Sequence, residues 1–399
     1  MLLTHRLQLN PSPTQLGYFI RAAGVARFVW NWSLTEWNRQ YTAGEKPTAL
    51  KLSRQFTTVK QVEFPWVTEV HAECATVAAR DLGVAFSRFF AKKAKYPRFK
   101  RKGEHDSFYV HNACLRVDEK NRVKLPKIGW VKLTESLRFS GKIMGARVTR
   151  QADKWFIAIQ VDLGDDYRRE PNPDRRPVVG VDLGVKELAV LSSGERVEGP
   201  KAQETHTKRL RRLSKSHSRK QKGSKNREKS KMKLARLHMK VGNIRKESLN
   251  LLTTKLCREN QAVVIEDLNV SGMVRNHKLA RAISDMGFGE FRRQLTYKSK
   301  LYGTELIVAD RWFPSSKTCS DCGTVKETLA LGEREWACNE CGVVHDRDLN
   351  AAMNLEQLPS RRGNVMPVEM KALVRPRKRK NETVVDEAGI SQSPSSDSG

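Results

Sequence analysis

Cys319, Cys322, Cys338 and Cys341 are spaced C-x2-C-x15-C-x2-C, and Asp346 and Asp348 follow within seven residues of the last thiol. Each C-x-x-C turn presents two thiolates to one ion, and the spacing is that of a tetrahedral zinc ribbon. Four thiolates leave the ion no open coordination position, so a zinc held there is structural. The chemistry points instead to carboxylates. Asp182 ends the apolar run VVGVD, Glu266 ends AVVIE, and Asp348 lies in HDRDLNAAMNL. A carboxylate carried into apolar surroundings needs a compensating partner. Divalent cations supply one: oxygen ligands suit Mg²⁺ or Mn²⁺, and two such ions about 4 Å apart activate water and stabilise the leaving oxygen in phosphodiester hydrolysis.

Singly, each acid has a duller reading, Asp182 as a strand end and Glu266 as an ordinary ion-pair partner. The chain, however, carries 74 Lys and Arg against 44 Asp and Glu, a formal charge of +30. Such an excess favours a polyanionic partner, because each neutralised phosphate releases condensed counterions. Together the acids read as a nuclease centre, with Asp182, Glu266 and Asp348 both catalytic and metal-binding. If NAAMNLEQL is helical, Asp346 falls at the N-cap, where a carboxylate accepts backbone N–H bonds, and Asp348 in the first turn faces a metal. Exchange of these two roles stays open. Asp267 would face the other side of its strand and is set aside. Asp310 is expected only as a neighbouring acid. His345 is expected to be structural, with contact to a substrate phosphate as the alternative, and Trp336 and Phe313 are expected to pack on the ribbon.

The elements that position these residues can be read in outline. Leu3 to Leu9 alternates as a strand, and Ser12 with Pro13 starts a helix towards Tyr41. The aromatics in FVWNWSLTEWNRQY suit helix packing better than base stacking. Val70, Cys74, Val77, Leu82, Phe86 and Phe89 predict a second helix over Thr68 to Lys93. The loop KKAKYPRFKRKG sets cations around Tyr96 and Phe99 and reads equally as a nucleic-acid grip or a solvated loop. Short strands follow from Phe108 to Leu163, and DDYRREPNPDRRP reads as a linker. Between Lys208 and Lys246 stand 17 Lys or Arg residues, split into two helices at KGSKN and best suited to nucleic acid. Cys74, Cys114 and Cys257 are scattered, so no disulfide framework is implied. MLLTHRLQLNPSPTQ lacks a signal-peptide core and no apolar run reaches about 18 residues, so a cytoplasmic chain is expected.

VDLGVKELAV, RNHKLARAISDMGFGEFRRQLTYKSKLYG, FPSSKTCSDCG and CGVVHDRDLNAAMNL together resemble the TnpB family, RNA-guided nucleases of bacterial insertion sequences related to type V CRISPR effectors. GVARFVWNWSL, YPRFKRK and VKLPKIGWVKL extend the resemblance to about residues 1–358. The resemblance implies a multidomain α+β fold. It comprises an α/β RNase H-like (RuvC) nuclease domain over 171–312 and 343–359 and a zinc ribbon inserted at 313–342. A helical recognition lobe covers 11–107 and a small wedge-like β-barrel covers 1–10 and 108–170; the tail over 360–399, which lacks periodicity, reads as disordered from its composition. Its RuvC acids fall on Asp182, Glu266 and Asp348. A guide RNA made from the transposon end is implied as partner, with one RNA per monomer, and double-stranded DNA cut next to a short transposon-associated motif as substrate. The setting implied is the nucleoid of a bacterial or archaeal cell. Two other functions compete: a strand-transfer transposase, which would usually end its triad in glutamate and carry a separate helix-turn-helix, and a guide-dependent DNA-binding repressor. No family acid is missing, which argues against the repressor.

Overall fold

The structure, a computed structural model, describes residues 1–165, 167–330 and 332–360 and the backbone of 365–367. The chain begins with β1 (Leu2–Asn10), α1 (Pro13–Thr42), α2 (Ala49–Val59), α3 (Glu73–Phe90) and β2 (Ser107–His111). Short strands β3 (Arg116–Asp118), β4 (Arg122–Leu125) and β5 (Gly129–Leu133) lead to the long pair β6 (Lys142–Gln151) and β7 (Lys154–Asp162). Next come β8 (Arg176–Asp182), β9 (Ala189–Leu191), β10 (Arg196–Val197), α4 (Ala202–Ser218), α5 (Lys225–Glu259) and β11 (Asn260–Ile265). Helices α6 (Val270–Met273), α7 (Ala280–Met286) and α8 (Phe288–Tyr302) precede β12 (Glu305–Ala309). The hairpin β13 (Glu335–Ala337) and β14 (Val344–Asp346), then α9 (Arg347–Gln357) and β15 (Val365–Pro367), complete the series. The rest of the tail expected to be disordered lies outside the described residues. No helix among the described residues is long and apolar enough to cross a membrane.

Two compact units result, one of residues 1–172, 199–258 and 270–303, the other of 173–198, 259–269 and 304 onward. Helices α4 to α8, which the sequence reading assigned to the nuclease stretch, thus group with the first unit. In that unit Ser12 accepts from the Gln15 amide at 3.3 Å while the Gln15 side chain accepts from Ser12 N at 3.0 Å, a capping box that starts α1. The strands form an antiparallel sheet in the order β2-β6-β7-β1-β5-β4-β3. Among the described residues β2 and β3 do not pair, so hydrogen bonds leave this sheet open where a small barrel was expected. Helices account for the difference. Phe19, Ala22 and Val29 of α1 and Cys74 and Ala78 of α3 share one core with Leu7, Val148 and Ile157 of the sheet, so closure is not needed to cover its apolar face.

The aromatic run of α1 serves packing, with Trp37 stacked on Phe86 at a ring separation of 3.9 Å. Helix α3 starts at Glu73, five residues after the expected Thr68. Pro65–Glu69 instead forms a 3-10 turn, after which Val70 is extended at φ −104° and ψ 172°.

The second unit holds the sheet β10-β9-β8-β11-β12-β15. β8, β11 and β12 are mutually parallel, while β9, β10 and β15 pair antiparallel with their neighbours. The parallel strands are runs of Val, Ile, Leu and Ala buried at nearly every central position, as expected of a sheet covered on both faces. Helix α9 lies directly on β8. A Cβ built on Gly180 would overlap the Ala352 carbonyl oxygen and stand 2.6 Å from Glu356 N, so only glycine lets helix and strand approach this closely.

Gly180→Ala is therefore expected to force α9 outward and destabilise this unit by about 1–3 kcal/mol, the usual penalty of overpacking. Denaturant unfolding reads the change, and an unshifted transition would contradict the contact.

Candidate active site

β8 and β11 run in the same direction with Val181 opposite Ile265. The next residue of each strand is an acid, so Asp182 and Glu266 emerge side by side at the carboxyl edge of the sheet, roughly one strand spacing of 4.8 Å apart. Crevices at that edge are where open α/β sheets bind ligands. Asp348 reaches the same place from α9. Its neighbour Asp346 is the helix N-cap, accepting from Leu349 N at 2.9 Å, and is neutralised by Arg196 at 3.0 Å. Asp348 in the first turn is near enough to Asp182 for its charge to act there, and both its oxygens accept from Arg334.

Ionisation of Asp182 responds to the other two. Burial pushes the Asp182 carboxyl well above its ordinary value of 3.8, and repulsion from Glu266 and then Asp348 pushes it further, with Arg347 and Arg334 opposing. Burial likewise raises Glu266, against a hydrogen bond from Ser315 and the charge of Arg347. The Ser315 hydroxyl stands 2.5 Å from Glu266 Oε1. Arg334 donates to both Asp348 oxygens, at 3.0 and 3.3 Å. The acids are not packed as tightly as metal-held ligands. Among the described residues, only groups that include ribbon cysteines bring three or more ligand atoms within 4.8 Å of one another. Buried carboxylates raised in this way by desolvation and mutual proximity are a donor set that fits oxygen-ligated divalent cations, which would compete with the arginines now beside them.

Ser315, Arg334 and Arg347 were missed in the sequence. No spacing rule marks a serine in FPSSKTC or an arginine in GEREW, because each reaches its acid across the fold. Asp310 does not join the cluster; it accepts from Trp312 N at 2.9 Å and is exposed. Asp267 pairs with Arg311 at 2.8 Å.

The four ribbon sulfurs lie within 4.8 Å of one another, with Cys319 and Cys341 3.6 Å apart and Cys322 and Cys338 3.5 Å apart. Bonds of 2.3 Å to a tetrahedral ion would separate sulfurs by about 3.8 Å, so these side chains fit one thiolate-bound metal. His345 is buried on β14 with Nε2 3.0 Å from the Cys319 sulfur, which places it against the ribbon. Trp336 packs with Cys319 and Cys338, whereas Phe313 packs on Ile307, Leu355 and Leu358 of the sheet and α9. That corrects its expected place on the ribbon: Phe313 lies before the first knuckle, where the nearest apolar surface is the sheet.

Buried asparagines fasten the knuckle to α9. Asn350 accepts from Ser320 N at 2.9 Å and donates to the Thr318 carbonyl at 2.7 Å, while Asn354 donates to the carbonyls of Ser315 and Thr318 at 2.9 and 2.6 Å.

Basic segments belong to the first unit. In the loop Lys92 to Gly103, Trp30 Nε1 donates to the Arg98 carbonyl at 2.9 Å, and Asn31 bonds Lys100 N and O at 2.8 and 3.0 Å. The Lys100 ammonium sits 3.7 Å over the Trp30 ring, and burial pushes its pKa down to about 8. Phe99 stays half exposed.

The OrfB IS605 family model, described as a probable transposase, matches residues 158–277. A Cas12f1-like TNB domain model matches 288–355, and a helix-turn-helix domain model matches 1–46. Over 1–46 the chain folds as β1 and one unbroken helix, α1, with no second helix before Ala49. A relative from Streptomyces pristinaespiralis, named as an RNA-guided DNA endonuclease, is 38% identical over 356 residues, spanning 88% of this chain and 87% of its own. InsQ of Escherichia coli K12, also named as an RNA-guided DNA endonuclease, is 32% identical over 371 residues, spanning 89% and 91%. Among solved structures, the Cas12f1–sgRNA–target DNA complex aligns with a TM-score of 0.53 at 16% identity, over 85% of this chain and 82% of that one, a likeness of fold.

Two outcomes are expected of this site. Both sheet acids have folded-state pKa values above their unfolded ones. Without cations, their protonation therefore contributes stability that is whole below about pH 4 and is lost as pH rises through the raised values. Added Mn²⁺ replaces those protons, so the rise in melting temperature it produces should grow as pH increases from about 4; a flat or falling response would contradict the site. Cys338→Ser should lower bound-metal content and melting temperature before it alters chemistry. A folded, metal-free and fully active variant would refute a structural role for the ribbon.

Proposed function

The chain belongs to the TnpB family of RNA-guided DNA endonucleases, and from that premise we propose that it hydrolyses double-stranded target DNA next to a transposon-associated motif, using divalent cations held by Asp182, Glu266 and Asp348. The observation that carries this reading is the convergence of those three acids at one sheet edge, where the charges of Glu266 and Asp348 disfavour that of Asp182. Connectivity supports an RNase H-like (RuvC) assignment for the sheet: an antiparallel β8-β9-β10 meander, then parallel β11 and β12, then a helix carrying the last acid.

Two Mg²⁺ or Mn²⁺ ions would supply an activated water and offset charge on the leaving oxygen. The chain's own residues prepare the place. Asp182 and Glu266 supply oxygens fixed by rigid strands, Ser315 orients the Glu266 carboxylate, and α9 brings Asp348 opposite. Arg334, paired with Asp348, places a guanidinium where a phosphate would enter. The ribbon cysteines would hold a structural Zn²⁺. In this reading residues 11–107 serve as recognition lobe and the seven-stranded sheet as wedge. The basic α4–α5 hairpin and the loop around Phe99 bind a guide RNA derived from the transposon end and its heteroduplex, one RNA per monomer, in the cytoplasm.

Asp182→Ala and Glu266→Ala should each lower cleavage of a guide-matched duplex by about 100-fold or more, as removal of a charge-stabilising group does, with guided binding retained. Cleavage by the wild type that persists without RNA would refute guidance. Guided binding without cleavage in the wild type would favour a repressor.

A further inference from the structure

Trp312 is 85% exposed, the most exposed large apolar side chain among the described residues. Its neighbour Phe313 turns the opposite way, into the cluster with Ile307 and Leu355, so the pair WF presents one ring to the core and one to solvent. The segment carrying this indole is held firmly. Trp312 N donates to Asp310 Oδ1 at 2.9 Å, Phe313 N to the Asp310 carbonyl at 3.1 Å, and Ser315 N to the Phe313 carbonyl at 2.9 Å. On one side Arg311 is tied to Asp267 at 2.8 Å, and on the other Ser315 bonds Glu266 at 2.5 Å. Both tethers thus end on β11's acidic terminus, and Trp312 lies between them. Three residues of chain bound its Cα to within roughly 11 Å of that of Ser315.

A solvent-facing indole on a tied-down segment beside an acidic centre is poorly explained by folding, since an aromatic of this size stabilises only when its surface leaves water. It is well explained by a flat apolar ligand. Nucleobases are such ligands, each has a π-face, and stacking on an aromatic tolerates any sequence. That tolerance suits an enzyme whose sequence reading is left to base pairing. A span of roughly 11 Å corresponds to about three bases at 3.4 Å each.

We propose that Trp312 stacks on an unpaired base of the DNA strand being cut, within about three nucleotides of the phosphate at the acid cluster, and so fixes the strand for hydrolysis. This rests on the nuclease reading of Asp182, Glu266 and Asp348. Because the backbone that carries the indole is already tied down, docking a base has only side-chain freedom to restrict. Exposure also means that replacing it leaves the core intact.

The test uses the full-length protein–RNA complex and variants Trp312→Ala, Trp312→Phe and Glu266→Gln, on guide-matched DNA carrying single abasic sites at successive positions around the cut. Trp312→Ala should keep its melting temperature and guided binding but cleave roughly tenfold more slowly, the loss of one base–aromatic stack, with Trp312→Phe restoring most of the rate. One abasic position should slow the wild type to the same degree and slow Trp312→Ala no further. If Trp312→Ala cleaves like the wild type while Glu266→Gln is inactive, the stacking proposal fails and the nuclease centre stands. If Glu266→Gln cleaves normally, the centre itself is misassigned and the proposal falls with it. Loss of guided binding in Trp312→Ala would place the indole on the RNA or heteroduplex and overturn the assignment to the cut strand.

Discussion

Two carboxylates side by side at the ends of adjacent parallel strands repel each other, and burial makes the repulsion worse by removing water that would screen it. The second unit is organised around this constraint. Arg347 and Arg334 bring positive charge to Asp182, Ser315 hydrogen-bonds Glu266, and Arg196 neutralises Asp346 so that it adds no further repulsion. These contacts lessen the penalty without removing it, since both sheet acids stay raised. In the nuclease reading proposed above, a bound cation would relieve this repulsion.

Bringing a third acid to the same place requires α9 to sit against β8 closely and in one register. Gly180 permits the approach, and Asn350 and Asn354 tie the first cysteine knuckle to the helix through buried hydrogen bonds. Buried amides of this kind are strongly position-specific, because any shift would leave them unpaired in a dry interior. The ribbon carries Arg334 to Asp348, and the segment leading into it carries Ser315 to Glu266. The four-cysteine site and the charge at the sheet edge are therefore connected through packing rather than through a shared side chain.

Much of this was legible in the chain itself. The C-x2-C pairs announce a four-sulfur site, apolar runs ending in acid announce Asp182 and Glu266, and helix-cap logic separates Asp346 from Asp348 because capping depends only on local backbone geometry. Ser12 and Pro13 start α1 for the same local reason. What escaped reading depends on distant contacts. Whether the N-terminal sheet closes is decided by helices packing on its face, the start of α3 by a proline turn, and the roles of Ser315, Arg334 and Arg347 by which acids the fold sets beside them. Phe313 illustrates the limit: its type predicts burial, but only the tertiary structure says against what.

In the reading proposed here Asp182, Glu266 and Asp348 form one cation site. Calorimetric titration of Mn²⁺ into the RNA-bound protein with an uncleavable DNA target tests it most directly. Binding should be lost when any one of the three acids is replaced by alanine, while the sulfur-bound metal content stays unchanged. Equal affinity and stoichiometry in the wild type and all three variants would contradict the account.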